Sequence, residues 1–335
     1  MRRVQPQRRF SIRGLSLVEL MISMLLGMLV AGAAITIFMS NRETYRATDN
    51  LGRVQENLRT SFELMARDVR EAGGNPCAND LPIANVLNDP AASWWSNWNG
   101  GLIGYDGGTA AQGLNTGGGT AERVAGTDAI EIKASVDSSI RVVVKMPEPS
   151  ADIEVNATTG LQNNDVIMIC DFNQASIVQV TQTPAGLKIQ HNSGAGTPGN
   201  CTKHLGYPVV CTNGAGNSPY LYDQNAVIAV YRAMQWYVGN NARGGRSLYR
   251  RTLRFNGAAP EAQAEEIADG VTDMQLEYLV RGDDEYVDAD PSPDWPNVVA
   301  VKIVLTLRTN ENVGTDGNPI NRRLEHTVAL RNRAP

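Results

Sequence analysis

Apolar side chains are concentrated near the start of the chain. From Leu20 to Met39, 16 of 20 residues are Ala, Val, Ile, Leu, Met or Phe. A helix of this length spans roughly 30 Å, which matches the hydrocarbon core of a bilayer. Because residues 1–14 contain five arginines and no acidic residue, the positive-inside rule predicts a cytoplasmic N-terminus. Everything after Met39 is then expected outside the inner membrane.

A helical pattern continues beyond the apolar run. Apolar residues recur mostly every three or four positions, which predicts a stripe on one helix face. The stripe consists of Tyr45, Leu51, Val54, Leu58, Phe62, Met65 and Val69. Gly73-Gly74 followed by Pro76 is a helix stop. The pattern therefore predicts one helix from Leu15 to Ala72, roughly 85 Å long, whose second half packs its stripe on a sheet.

The remaining chain has the pattern of a β-rich domain. Residues 73–128 form a long region rich in Gly and Trp, and its three tryptophans either form an exposed contact surface or, as we favour, fill a small core. Short β-like runs then recur between turn residues. These runs are 129–134, 140–146, 166–171, 177–181, 187–191, 227–232, 248–253, 271–280, 298–308 and 323–330. The predicted fold class is α+β, with a long N-terminal helix packed on an antiparallel sheet that carries extra β elements.

Composition and motifs narrow the function. The chain has 335 residues, of which 42% are hydrophobic and 19% charged, so a wholly disordered chain is excluded. A net charge of −5 argues against a nucleic-acid partner bound through bulk charge. The three histidines form no HExxH motif, and GxSxG and Walker A motifs are absent. We therefore expect no enzyme, no catalytic residue and no cofactor.

One acidic loop has oxygen ligands at alternating positions. The segment 283–294 contains six Asp or Glu residues, but it lacks the mid-loop glycine and final glutamate of an EF-hand. A calcium loop and a solvated loop are both compatible with this pattern, and we favour the solvated loop. No metal ligand is assigned.

Four cysteines lie in the part of the chain expected outside the membrane, where disulfides form. They allow three pairings. Cys201 and Cys211 bracket a nine-residue loop and form the favoured pair, which leaves Cys77 to join Cys170. Free buried thiols are the alternative.

Glu19 is the only ionisable residue between Arg13 and Arg42. A carboxylate at the edge of a membrane span is costly and usually has a partner, although it can also lie solvated among the lipid headgroups. An ordinary secretory signal peptide would explain the apolar run, but such a segment is usually shorter and is followed by a small-residue cleavage site.

The segment 14–20 (GLSLVEL), behind a short basic leader and ahead of the apolar helix, resembles a type IV prepilin (class III) signal. The resemblance implies that prepilin peptidase cuts after Gly14 and methylates the new N-terminal amine of Leu15, where many members have Phe. It also implies that Glu19, fifth in the mature chain, pairs with the N-terminal ammonium of a neighbouring subunit and sets subunit register.

The C-terminal region adds a second resemblance. Residues 269–278 (DGVTDMQLEY), Trp295-Pro296, the strand 298–308 and the terminal RRLEHTVALRNR resemble the PilW family of minor pilins. This resemblance implies a protein that primes type IV pilus assembly and lies at or near the pilus tip. Its implied partners are other minor pilins, the major pilin, prepilin peptidase, the inner-membrane assembly platform and a tip adhesin. A J-like pseudopilin of type II secretion and a membrane-tethered periplasmic binding protein that does not assemble are the alternatives.

The expected organisation follows from these segments. It comprises a cleaved leader over 1–14, a membrane and filament-core helix over 15–40, an amphipathic continuation over 41–72, a long loop over 73–128 and a β-rich periplasmic or extracellular head over 129–335. The protein would reside in the inner membrane before assembly and in the pilus afterwards.

Overall fold

A computed structural model describes residues 14, 16–149, 152–183, 186–194, 196–211, 219–255, 259–309, 311–314 and 316–333. Its one long helix, α1, runs from Leu17 to Arg70 and is two residues shorter at each end than predicted. The chain turns away at Gly73, which has a φ of 69°. Glycine adopts this left-handed conformation without a steric penalty, so the predicted stop signal is confirmed.

The rest of the described chain is built mainly from short and long strands. In chain order they are β1 (Ile83–Asn85), β2 (Leu102–Tyr105), β3 (Ala129–Arg141), β4 (Ile153–Glu154), β5 (Val166–Cys170), β6 (Ala175–Gln179), β7 (Lys188–Ile189), β8 (Val227–Asn240), β9 (Arg246–Arg254), β10 (Glu261–Asp269), β11 (Val271–Val280), β12 (Tyr286–Val287), β13 (Val298–Arg308) and β14 (Asn321–Ala329).

Most strands belong to two sheets. The larger sheet has the order β1-β6-β5-β8-β3-β2, and β9 and β10 extend from β8 on another path. Its neighbours are antiparallel except β1 and β6, which are parallel. The smaller sheet is antiparallel with the order β12-β11-β13-β14, and β4 pairs with β7. One helix with two mainly antiparallel sheets confirms the predicted α+β, pilin-like class.

The second half of α1 packs on both sheets. Val54, Leu58, Met65 and Val69 are buried in one core with residues of β8, β11, β13 and β14. The predicted stripe is therefore confirmed from Val54 onwards. It is wrong at Tyr45, which is 73% exposed.

Beyond the end of α1, the larger sheet continues into a distal lobe, which we define as residues 136–230. The helix end lies beside the middle of β3, where the Ser135 N–H donates to the Gly74 carbonyl at 2.9 Å. Past this point, the outer halves of β3 and β8 join β4 to β7 around a separate apolar core that includes Val142, Ile169 and Ile228. The head therefore extends well past the helix.

The tryptophan-rich region covers the second face of the larger sheet. Trp94 and Trp95 are 4% and 8% exposed and pack with Tyr231 of β8, which confirms the predicted small core. Coverage on both faces explains why Glu131 and Lys133 of β3 are buried. They form an ion pair of 2.8 Å between the Lys133 Nζ and Glu131 Oε2 atoms.

Several strands were not predicted. Strands β1 and β2 lie inside the region expected to be a loop, and β10 has the sequence EAQAEEIAD, which lacks apolar alternation. The neighbouring strand β9 is rich in arginine and offsets the negative charge of β10. The Arg250 guanidinium of β9 lies 3.5 Å from the Glu265 carboxylate of β10. Cross-strand charge pairs of this kind stabilise an exposed edge strand whose intrinsic β propensity is low.

Candidate functional site

The head leaves the apolar run of α1 uncovered. Side chains of its apolar run are exposed throughout, from Leu17 at 75% to Phe38 at 70%. Among the described residues, α1 is the one helix long and apolar enough to cross a membrane, and no residue of its most apolar segment is buried. A core helix of a soluble domain would bury such a face, so the exposed run is suited to single-pass anchoring in lipid or to packing against other helices.

The described residues of the predicted processing signal, Gly14 and Glu19, lie at the start of this helix. Gly14 is exposed and precedes the helix by three residues, whereas Leu15 and residues 1–13 of the leader lie outside the described residues. Glu19 is exposed in the first helical turn and forms no ion pair with any described residue. The chain itself therefore offers this carboxylate no partner within the described structure.

The second half of α1 is fixed to the head by ring packing. Phe62 stacks on His326 of β14, with ring centroids 4.2 Å apart and ring planes 24° from parallel. Around this contact, Leu58 and Met65 reach the shared core. His326 is thus a packing residue between helix and sheet.

A buried polar contact supplements the apolar packing. The Trp236 Nε1–H of β8 donates to the Asp68 Oδ2 atom at 2.9 Å, and the Arg250 Nη1 atom lies 3.8 Å away. Burial raises the pKa of the Asp68 carboxyl, and the tryptophan and arginine oppose that shift. Sequence reasoning missed Asp68, although its spacing from Met65 and Ala72 places it on the buried side of the helix.

Two disulfides brace the head. Cys77 joins Cys170, and Cys201 joins Cys211. The first ties the segment just after α1 to the end of β5, and the second closes a short loop in the distal lobe. These are the pairings predicted from the sequence, and no described cysteine is free.

The two sheets are joined by a second buried carboxylate. The Asp128 N–H donates to the Met274 carbonyl at 2.9 Å, and the Asp128 Oδ2 atom accepts the Leu276 N–H at 2.7 Å. Burial is the largest cause that raises the pKa of Asp128 to about 6. The nearby Arg123 guanidinium donates to the backbone carbonyls of Thr127, Thr109 and Asp106.

The raised pKa of Asp128 makes the stability of the head depend on pH. The folded state holds this proton more tightly than the unfolded chain, whose carboxyl titrates near 3.8. The stabilisation is therefore complete below pH 3.8 and is lost as the pH rises to about 6. We expect this group to lower the free energy of unfolding by up to about 3 kcal/mol over this pH range, and Asp128→Asn to remove that fall. Urea unfolding of the full chain at several pH values measures it.

Asp137→Asn is the matched control for this prediction. Asp137 is an exposed carboxylate whose pKa is lowered, first by its hydrogen bond from Arg141, so its pH dependence has the opposite sign. A fall between pH 4 and 6 that persists unchanged in Asp128→Asn would contradict the assignment.

The acidic loop and the buried histidine, which could have formed a metal or catalytic site, make structural contacts instead. The N–H groups of Ala289 and Asp290 in the acidic loop donate to the Asp106 carboxylate at 3.0 and 2.9 Å. Within the described residues, no group of three or more His, Cys, Asp or Glu side chains lies together as a metal site would require. The buried His191 Nε2 atom contacts the backbone carbonyls of Pro149 and Lys203 at 3.1 and 3.3 Å.

Comparison with known proteins agrees with this architecture. Residues 235–332 match the family model described as Type IV Pilus-assembly protein W. The matched segment covers the C-terminal part of β8 and every strand from β9 to β14, and all of these except β12 contribute to the core shared with α1. No curated protein and no solved structure shows a significant match. The family match over this segment, together with the exposed apolar helix, supports a PilW-family type IV pilus protein.

Proposed function

We propose that the chain is a minor pilin that primes assembly of the type IV pilus and is incorporated at or near its tip. Prepilin peptidase removes residues 1–14 and methylates Leu15, and Glu19 then sets subunit register. Before assembly the N-terminus is cytoplasmic, the helix spans the inner membrane and the head is periplasmic. The direct partners are other minor pilins, the major pilin and the inner-membrane platform, with a tip adhesin as a further partner.

The observation that carries this proposal is the division of α1 into two halves. Its first half exposes a continuous apolar surface, and its second half is fixed to the head by apolar packing, the Phe62–His326 stack and the Asp68–Trp236 hydrogen bond. A subunit that leaves the bilayer for a helical bundle needs this combination. The apolar half can exchange lipid for neighbouring helices, whereas the head follows as a rigid body.

The size of the head supports a place for this subunit at the pilus tip. The distal lobe extends past the end of the helix, where a regularly stacked subunit would receive the head of the next one. A head this large fits most easily where no further subunit must be added beyond it.

The experiment is deletion of the gene and complementation with the full chain, with surface pili counted by electron microscopy. We expect few or no pili without the protein and recovery with it. Gold-labelled antibodies against the head should mark pilus ends. Normal piliation of the deletion strain would contradict the priming role, and label along the whole filament would contradict the tip position. A defect confined to type II protein secretion would indicate the pseudopilin alternative.

A further inference from the structure

A groove of about 510 Å³ lies where the end of α1, the disulfide-anchored segment after it, the distal lobe and the C-terminal residues meet. Taking 1.5 Å of rise per residue, it lies roughly 50 Å along the chain axis from the end of the apolar run. The groove is therefore remote from the membrane-spanning half of the helix. Its size falls within the range of small-molecule binding sites.

Two aromatic rings line the groove from opposite parts of the head. Trp98 is half-buried and tilts against Tyr231, with ring centroids 6.2 Å apart, so its position is fixed by packing. Tyr207 belongs to the distal lobe and is 57% exposed. Its backbone N–H donates to the Gln174 Oε1 atom at 3.2 Å, which anchors this part of the loop. The rings present flat, partly solvated surfaces rather than a closed apolar core.

Three polar side chains of the groove lining are available for hydrogen bonds to a ligand. Asn79, Asp80 and Asn332 line the groove, and none of their side chains hydrogen-bonds to a described residue. The two amides each supply donors and an acceptor, and the carboxylate supplies acceptors only. Asp80 is the only acidic lining group and Arg333 the only basic one, so the groove is close to neutral.

The walls of the groove are held rigidly. Arg333 is buried and donates to the backbone carbonyls of Gly100, Trp295 and Val298, so it is committed to the scaffold. Gly100 has a φ of 71°, and a Cβ there would lie 2.8 Å from the Pro296 Cα atom, so only glycine permits this close approach. The Cys77–Cys170 disulfide fixes the segment that carries Asn79 and Asp80. A preformed groove loses little conformational entropy when a ligand binds.

We propose that this groove binds an uncharged carbohydrate. A sugar ring has an apolar C–H face that stacks on an aromatic ring, and its hydroxyls both donate and accept hydrogen bonds, as side-chain amides do. The near-neutral lining disfavours a strongly anionic or cationic ligand. Two rings from different parts of the chain and a volume of about 510 Å³ fit an oligosaccharide rather than a single sugar. This binding is a property of the head alone and goes beyond the proposed role in assembly.

The test uses the purified full chain in a detergent without a sugar headgroup, titrated with chitotriose, cellotriose and maltotriose. Isothermal calorimetry and saturation-transfer NMR report binding. We expect saturable binding of at least one trisaccharide. Tyr207→Ala should weaken it about tenfold, and Asn332→Ala about fivefold.

Phe172→Ala is the matched control, since Phe172 is an aromatic side chain that is 84% exposed and lies outside the groove lining. It should leave the affinity unchanged, and circular dichroism verifies that all variants fold. Absence of saturable binding to all three trisaccharides would overturn the proposal, as would equal affinity in Tyr207→Ala, Asn332→Ala and the unmodified chain. Neither result bears on pilus assembly, which is measured separately by counting pili.

Discussion

Replacing Glu19 with alanine is expected to abolish incorporation of the protein into pili while leaving the head folded. The carboxylate is the one charge in the apolar part of α1, and the described structure gives it no partner. In a helical bundle it needs an opposite charge, and the N-terminal ammonium of a neighbouring subunit can supply one. An unpaired carboxylate in that environment costs several kcal/mol, so matched register is favoured over any other. Without the Glu19 carboxylate, no charge pair favours one alignment of neighbouring subunits over another.

The measurement is the amount of the protein in sheared pili relative to membranes. Glu43→Ala is the control, because Glu43 is exposed on the same helix beyond the apolar run. It should assemble normally. Glu19 also lies in the first turn of α1, where an acid interacts favourably with the helix dipole, but that effect is worth only about 0.3–1 kcal/mol. Normal assembly of Glu19→Ala would show that the residue has no register role.

Removing the Cys77–Cys170 disulfide is expected to destabilise the head more than removing Cys201–Cys211. The first bond spans 93 residues and the second spans 10. In the chain-entropy description, these loops correspond to about 4–5 and about 3 kcal/mol of restricted unfolded-state freedom. The first disulfide also fixes the segment after α1 to the larger sheet, so its loss should loosen the attachment of the helix.

Paired alanine substitutions test this difference. Alanine is preferred to serine because Cys170 is fully buried, and a serine hydroxyl there would lack a partner. Urea unfolding of the full chain, followed by tryptophan fluorescence, should give the larger loss for Cys77→Ala/Cys170→Ala. Equal losses, or a larger loss for Cys201→Ala/Cys211→Ala, would contradict the assignment of the first bond as the main brace.

Local signals predicted the helix and its division into two halves well. The apolar run, the stripe after Val54 and the glycine stop each depend on neighbouring residues, so they can be recognised without knowledge of the fold. Strand β13 was predicted with its observed bounds because its eleven residues are strongly apolar and β-branched. Burial of Trp94 and Trp95 was also predicted, since large aromatic side chains seldom stay exposed in clusters.

What could not be predicted depends on distant partners. Strand β10 exists because β9 offers arginines opposite its glutamates, and a single segment does not reveal its neighbour. In the sequence, Asp68 cannot be distinguished from a solvated residue of the helix. Its hydrogen bond comes from Trp236, which is 168 residues away. The groove beyond α1 unites residues from five separate parts of the chain, so no motif marks it.

The most direct test of the central claim is the mass of the N-terminal peptide of the protein taken from membranes and from sheared pili. We expect a mature chain that begins at methylated Leu15 in the pilus fraction, with Glu19 as its fifth residue. A protein that retains residues 1–14 and is absent from pili would contradict it. The long helix would then be a membrane anchor alone, and the function would lie in the head.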